Sequence, residues 1–239
     1  MDFTYEPVGV GISTLAERAI TTSPVPHRSR PDPGDPNWRG VTELCDPATW
    51  REIGNLYSRS LGTAHAAPGL LCSLQHYAGR ALIDQSGATL EVSLPGTPVL
   101  GREQDPSALV DTIRCHMDPL VDACVEAGTI TRRAALGGVA ASCAGAFGAA
   151  HRTAGGMRRP AVEMDADLVT RALSDRPLVT MIRLGDPPML VHDRHTCCLI
   201  RLGAQRSECE SCPQIPEEQR RGRQQRRPER GRVVTGSVR

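Results

Sequence analysis

Four thiols crowd one short stretch of this chain. Cys197, Cys198, Cys209 and Cys212 fall within 16 residues, in the pattern C-C-x10-C-x2-C. In a reducing compartment such a group binds metal more readily than it forms disulfides, because cellular thiols keep cysteine reduced. The pair Cys209 and Cys212 has the spacing that lets two thiolates converge on one zinc or iron ion. Cys197 and Cys198 are adjacent, and neighbouring side chains of an extended segment point to opposite sides. The backbone must therefore kink there to offer both sulfurs. Structural zinc sites normally use two spaced knuckles, while four thiolates from irregular loops are the usual complement of a 2Fe-2S cluster. On residue type alone three readings stand: a 2Fe-2S cluster, a four-cysteine zinc site, and thiols that bind nothing.

Other candidates lie close by or elsewhere. His192 and His195 precede Cys197 and could stand in for thiolates, but four cysteines already complete a cluster, so both are read as neighbours of the site or surface residues. Arg194 and Arg201 could stabilise a reduced, more negative cluster or attract an anionic chelate; the alternative for each is a solvated side chain. Cys45, Cys72, Cys115, Cys124 and Cys143 are scattered through the helical region and are read as small packing residues. A thioredoxin-like pair at Cys209 and Cys212 would need a βαβ setting that this region lacks. No nucleotide-binding loop, catalytic triad or H-E-x-x-H motif occurs in its required context, so electrons would have to come from an external donor.

The elements that must position these residues follow from caps and periodicity. Asp46-Pro47 opens a helix expected to run to about Leu61, and Pro68 opens another with Leu70, Leu74, Tyr77 and Ala81 on one face. Asp105-Pro106 repeats the signature, and Leu109, Ile113, Met117, Leu120 and Cys124 continue that helix, with Pro119 expected to break or kink it into two pieces. Thr131 caps an Ala-rich helix ending near His151, and Asp165 to Leu173 forms a short one. A helix is also expected from Leu15 to Ile20 and a strand between Gly87 and Pro95. Leu178 to Leu184 and Met189 to Val191 read as two strands joined by a tight loop over Gly185 to Pro188. The fold class is α+β: a mainly helical domain with a small antiparallel sheet and a C-terminal cysteine-bearing metal-binding loop.

With 239 residues, 39% hydrophobic and 23% charged, the chain is globular and long enough for its own core. The odd number of cysteines, nine, excludes complete pairing within one chain, and a small disulfide scaffold is ruled out. Aromatics are only 3%, too few for a base-stacking platform. All 28 basic residues are Arg; eight of them stand against three Glu in residues 217–239, a net +5, and the other 20 against 24 acids leave −4. The segments are thus a helix-rich body at 1–191 with a Pro-rich loop at 21–40, a metal-binding segment at 192–216, and a basic tail at 217–239 expected to be disordered. That tail could neutralise phosphates, but a solvated tail is the expectation and nucleic acid is not an expected partner. The acidic start, Met1-Asp2-Phe3-Thr4-Tyr5-Glu6, does not read as a secretory signal, so the expected location is cytoplasmic. The uncharged stretch from Ala134 to Ala150 is too short and too weakly apolar for a membrane span and is read as a buried helix.

The cysteine pattern resembles that of FhuF-type ferric-siderophore reductases, which bind a 2Fe-2S cluster. In that family an Arg-x-Thr/Ser-Cys-Cys segment introduces it, as Arg194-His195-Thr196-Cys197-Cys198 does here, and Cys-x-x-Cys closes it, as Cys209 to Cys212 does. Upstream, His116-Met117-Asp118-Pro119-Leu120 resembles the family's H-x-x-P-L helix, and the segment from Thr131 resembles its small-residue helix. Leu136-Gly137-Gly138 stands where relatives often carry Trp-Gly-Asn. The resemblance runs from about residue 70 to 213. It implies a 2Fe-2S cluster on Cys197, Cys198, Cys209 and Cys212, a ferric siderophore as substrate, an external electron donor, and release of iron as Fe(II). The alternative remains a structural four-cysteine zinc-binding interaction protein with a basic tail.

Overall fold

A computed structural model describes residues 10–11, 38–39, 41–85, 106–154, 156–204 and 208–225. The expected helix at Leu15 to Ile20, the strand between Gly87 and Pro95 and most of the Pro-rich loop lie outside them. Two short strands, β1 (Val10–Gly11) and β2 (Trp38–Arg39), pair antiparallel. The Asp46 carboxylate accepts from the Ala48 N–H at 3.0 Å, and α1 (Pro47–Ser60) follows with Pro in its first turn. Trp50, Ile53 and Tyr57 form its buried face. After Gly62, which takes a left-handed φ of 64°, the chain turns back into α2 (Ala66–Gln85). Leu70, Leu71, Leu74 and Ala78 of α2 pack into the common core.

The third helix corrects an expectation: α3 (Pro106–Ala127) is one uninterrupted element through Pro119. An internal Pro costs about 3 kcal/mol. Met117, Leu120 and Val121 beside it are almost wholly buried, and each contributes about 1.5–3 kcal/mol. Pro119 and Cys115, whose carbonyl loses its helical donor, are both exposed, so water can serve the freed oxygen. Apolar burial on the opposite face outweighs the local defect.

Thr131 caps α4 (Arg132–Thr153) as expected, its hydroxyl accepting from the Ala134 N–H at 3.2 Å. By length and composition Arg132–Arg152 is a helix long and apolar enough to cross a membrane; 61% of its most apolar 18-residue stretch is buried inside the fold. Ala135, Val139, Ala140, Cys143 and Ala144 are buried there, small enough for close packing against α2. α5 (Arg159–Ala172) starts earlier than expected, with Pro160 in its first turn. Buried His151 of α4 bonds to Glu163 of α5 at 3.0 Å, and Arg183 reaches the other oxygen of the same carboxylate.

β3 (Val179–Leu184) and β4 (Met189–Arg194) form the expected antiparallel hairpin, in register from Val179 opposite Arg194 to Leu184 opposite Met189. β4 runs three residues past Val191, so it crosses the expected boundary between body and metal-binding segment. The tail expected over 217–239 is corrected over 217–225, and the rest of it lies outside the described residues. Residues Glu217–Gln225 form a helix, α6, instead of disordered chain. Its ordering comes from docking, since Gln224 is buried and Arg220 and Arg221 both reach Asp193 of β4. The described residues thus make a mainly helical α+β fold of six α-helices with two small antiparallel ribbons.

Candidate metal centre

The end of β4 is buried on both faces, and its two last side chains point opposite ways. Asp193 faces α6, where its carboxylate accepts from Arg220 at 2.8 Å and Arg221 at 3.1 Å. Arg220 also donates to the carbonyls of Cys212 and Ile215 at 3.4 and 3.3 Å, while Gln224 donates to the His192 carbonyl at 2.8 Å. Through these bonds α6 fastens the Cys209 to Cys212 turn to the strand. Arg194 faces the other way, toward α2. Its side chain donates to Oε1 of Gln75 at 2.8 Å. Its backbone N–H donates to the carbonyl of Ser211, between the two later cysteines, at 3.4 Å.

Thr196 lies under α4. A Cβ at Gly137 would sit 1.8 Å from the Thr196 hydroxyl oxygen, so only glycine lets the helix come this close to the cysteine segment. Beyond Thr196 the left-handed residue falls one position after the expected kink at Cys197 and Cys198. Leu199 takes a left-handed conformation, φ 60° and ψ 6°, and its N–H donates to Sγ of Cys197 at 3.4 Å. A non-glycine residue held there costs on the order of 1–3 kcal/mol. The strand-like alternation is broken immediately after the double cysteine. The loop that follows is tied to the end of α1 by the Ala204 N–H, which donates to the Leu61 carbonyl at 2.8 Å. On the other side, the Cys212 N–H donates to the Cys209 carbonyl at 3.0 Å, closing the C-x-x-C turn.

All four thiols are free and lie in one neighbourhood. Cys198 and Cys209 approach to 3.8 Å between sulfurs, and Cys212 is coupled electrostatically to Cys197 and Cys198 and through a hydrogen bond to Cys209. The contact with Cys209 pulls the Cys198 thiol below its ordinary value against the opposing effect of burial, assisted by the Arg194 charge and backbone N–H groups. Cys209 moves the other way, because it holds the shared proton and next to it lies a thiolate. These two displacements belong to the pair, which gives up one proton readily and the second only with difficulty. A bound cation removes that difficulty. Burial raises Cys212 as well.

Among the described residues, no three His, Cys, Asp or Glu side chains converge closely enough to hold an ion as they stand. The donor set nevertheless fits a thiolate-bound metal group in kind and number. The 3.8 Å between Cys198 and Cys209 is the edge of a sulfur tetrahedron with metal–sulfur bonds of about 2.3 Å. His195 is exposed and engaged by the Thr180 hydroxyl at 2.7 Å across the hairpin. Arg201 is exposed, whereas Arg194 is 4% exposed. The sequence placed these two arginines in one class, and the fold separates them.

The remaining cysteines also divide. Cys124 and Cys143 are buried packing residues as expected, their thiols pushed up to about 12 by desolvation. Cys45 and Cys115 are exposed, which corrects that expectation. Both sit where an element turns its polar side to solvent. Cys72 of α2 is half-buried and within electrostatic reach of both Cys198 and Arg194. Burial first and then the Cys198 charge push its thiol up to about 12, so it stays protonated. His116 and Tyr77 stack at 5.8 Å and bond at 2.9 Å, joining α3 to α2; burial lowers the His116 pKa. Gln75 was not visible as a site residue, since nothing local marks it; Cys72 was read as a packing residue, and Gly137 was marked only by the family resemblance. The docking helix had a signal: Glu217 and Glu218 after Pro216, with Arg223 in the last turn, is the charge order of a helix. Among known proteins, the chain matches no family model, no curated protein and no solved structure.

Proposed function

We propose that this protein holds a 2Fe-2S cluster on Cys197, Cys198, Cys209 and Cys212 and serves as a cytoplasmic one-electron reductase of ferric siderophores, in the manner of the FhuF-type family that its cysteine pattern resembles. The observation that carries the reading is the gathering of four free thiols at the end of β4, with Cys198 and Cys209 3.8 Å apart. A cluster bound there supplies reversible one-electron transfer at a potential set by its surroundings.

The chain's own contribution is positional. The left-handed turn at Leu199 and the α6 clamp on the Cys209 to Cys212 turn present the two pairs of thiols from separate loops. Burial of Cys198 and Cys212 keeps water from that side. Exposed Arg201, three residues after Cys198, offers a positive charge to an anionic chelate on the outer side. The ferric siderophore takes up one electron and its iron becomes Fe(II), which hard oxygen donors hold less firmly. An external one-electron donor replaces that electron.

Anaerobic reconstitution with iron and sulfide, followed by ultraviolet-visible and EPR spectroscopy, tests the cluster. Stopped-flow oxidation of the reduced protein by ferric hydroxamate and catecholate siderophores tests the reductase. A colourless protein with stoichiometric zinc refutes the cluster and supports the structural zinc alternative. Oxidation that is independent of the siderophore refutes the reductase activity and leaves the cluster standing.

A further inference from the structure

Arg194 is the one site arginine for which a solvated role is closed. It is 4% exposed, and among the described residues its side chain donates only to a neutral amide, Oε1 of Gln75. Its Nε has no hydrogen-bond partner among the described residues. No carboxylate pairs with it among the described residues: neighbouring Asp193 faces the opposite side and is engaged by Arg220 and Arg221. Burying a guanidinium without a counter-charge is costly, and such groups are retained where an anion completes them. Its backbone is tied to the cysteine loops: the Arg194 N–H donates to the Ser211 carbonyl at 3.4 Å, between Cys209 and Cys212, and Arg194 stands three residues before Cys197.

We propose that Arg194, held by Gln75, is the buried counter-charge of the thiolate site and a positioning residue that raises its reduction potential. This rests on the cluster reading above. Reduction transfers one electron from an external one-electron donor, which is itself oxidised by one electron, and adds one negative charge beside the guanidinium with no proton required. A fixed positive charge in a buried setting favours the more negative state, whereas an exposed one is screened. Arg201 is the matched comparison: same residue type, same segment, exposed. Gln75 supplies the orientation from a different helix, which explains why the effect is invisible in the cysteine segment alone.

The experiment is an EPR-monitored redox titration, with dithionite as reductant, of reconstituted full-length wild type, Arg194→Gln, Arg194→Lys and Arg201→Gln. Loss of the buried charge is expected to disfavour the reduced state by about tenfold, a downward shift of about 59 mV for a one-electron couple. Arg194→Lys is expected to keep most of the wild-type potential, and Arg201→Gln to leave it unchanged. A loaded Arg194→Gln protein at the wild-type potential overturns the proposal while the cluster reading stands. If that variant does not fold, Arg194→Met, similar in length and apolar, reads the same shift. Unfolding of both neutral variants makes Arg194 a purely structural residue and also overturns it. A wild type that takes up no cluster overturns the reading of the site and this inference with it.

Discussion

Substituting Gly137 by alanine tests how closely the site depends on α4. The new Cβ would stand 1.8 Å from Oγ1, 2.7 Å from Cβ and 2.8 Å from Cγ2 of Thr196, and Thr196 immediately precedes the cysteine pair. Ordinary contact begins near 3.4 Å, so either helix or segment must move by more than an ångström. Overpacking of this severity costs about 3 kcal/mol. Alanine returns about 1 kcal/mol through helix propensity, leaving a net loss of about 2 kcal/mol. With a urea slope of about 2 kcal/mol per M, the unfolding midpoint of the apo-protein should fall by about 1 M. Gly145 lies on the same helix with nothing within 4 Å of its Cβ position. Gly145→Ala should therefore stabilise by about 0.5–1 kcal/mol. Thr196 is buried and its hydroxyl has no partner among the described residues, so Thr196→Ala should be nearly neutral alone and should recover part of the Gly137→Ala loss. Circular dichroism in urea reads the stability and iron content after reconstitution reads the site. If Gly137→Ala unfolds no earlier than Gly145→Ala and binds as much iron, the proposed close approach of α4 to the cysteine segment is wrong.

Other consequences follow from the same geometry. Asp193→Asn leaves Arg220 buried without its carboxylate, at a cost of about 3 kcal/mol, and limited proteolysis should then cut within Glu217–Gln225 first. Cys209→Ser should abolish the reconstituted iron-sulfur absorbance, while Cys72→Ala should retain it, because the Cys72 thiol stays protonated in its half-buried place. The Arg183 bond, opposed by burial and aided by His151, holds the Glu163 carboxyl below its ordinary value of 4.5. Its stabilising contribution is accordingly complete above that value and is lost as pH falls through the lower folded one. Glu163→Gln should flatten the acid limb of a stability profile measured by urea unfolding between pH 3 and about pH 6.

What could be read directly from the chain was local. Asp46 with Pro47, Pro106 and Thr131 announce helix starts because a cap or a fixed φ acts within one turn, and the two strands of the hairpin announce themselves by composition and the Gly-Asp-Pro-Pro loop between them. The spacing of Cys197, Cys198, Cys209 and Cys212 and the need for a kink at the first pair are equally local. Pro119, the Arg-rich helix and the two site arginines were decided by partners far away in sequence. Pro119 is carried because Leu120 and Val121 bury on the other face, and α6 orders because Asp193 and the His192 carbonyl await Arg220, Arg221 and Gln224. Arg194 becomes a buried charge through the alternation at the end of β4 and the position of Gln75, 119 residues away, while Arg201 lies past the left-handed Leu199 and is exposed. Residue type and spacing determine which atoms are able to bind a metal. Desolvation, close approach and the choice of counter-charge are properties of packing, and only the tertiary structure assigns them.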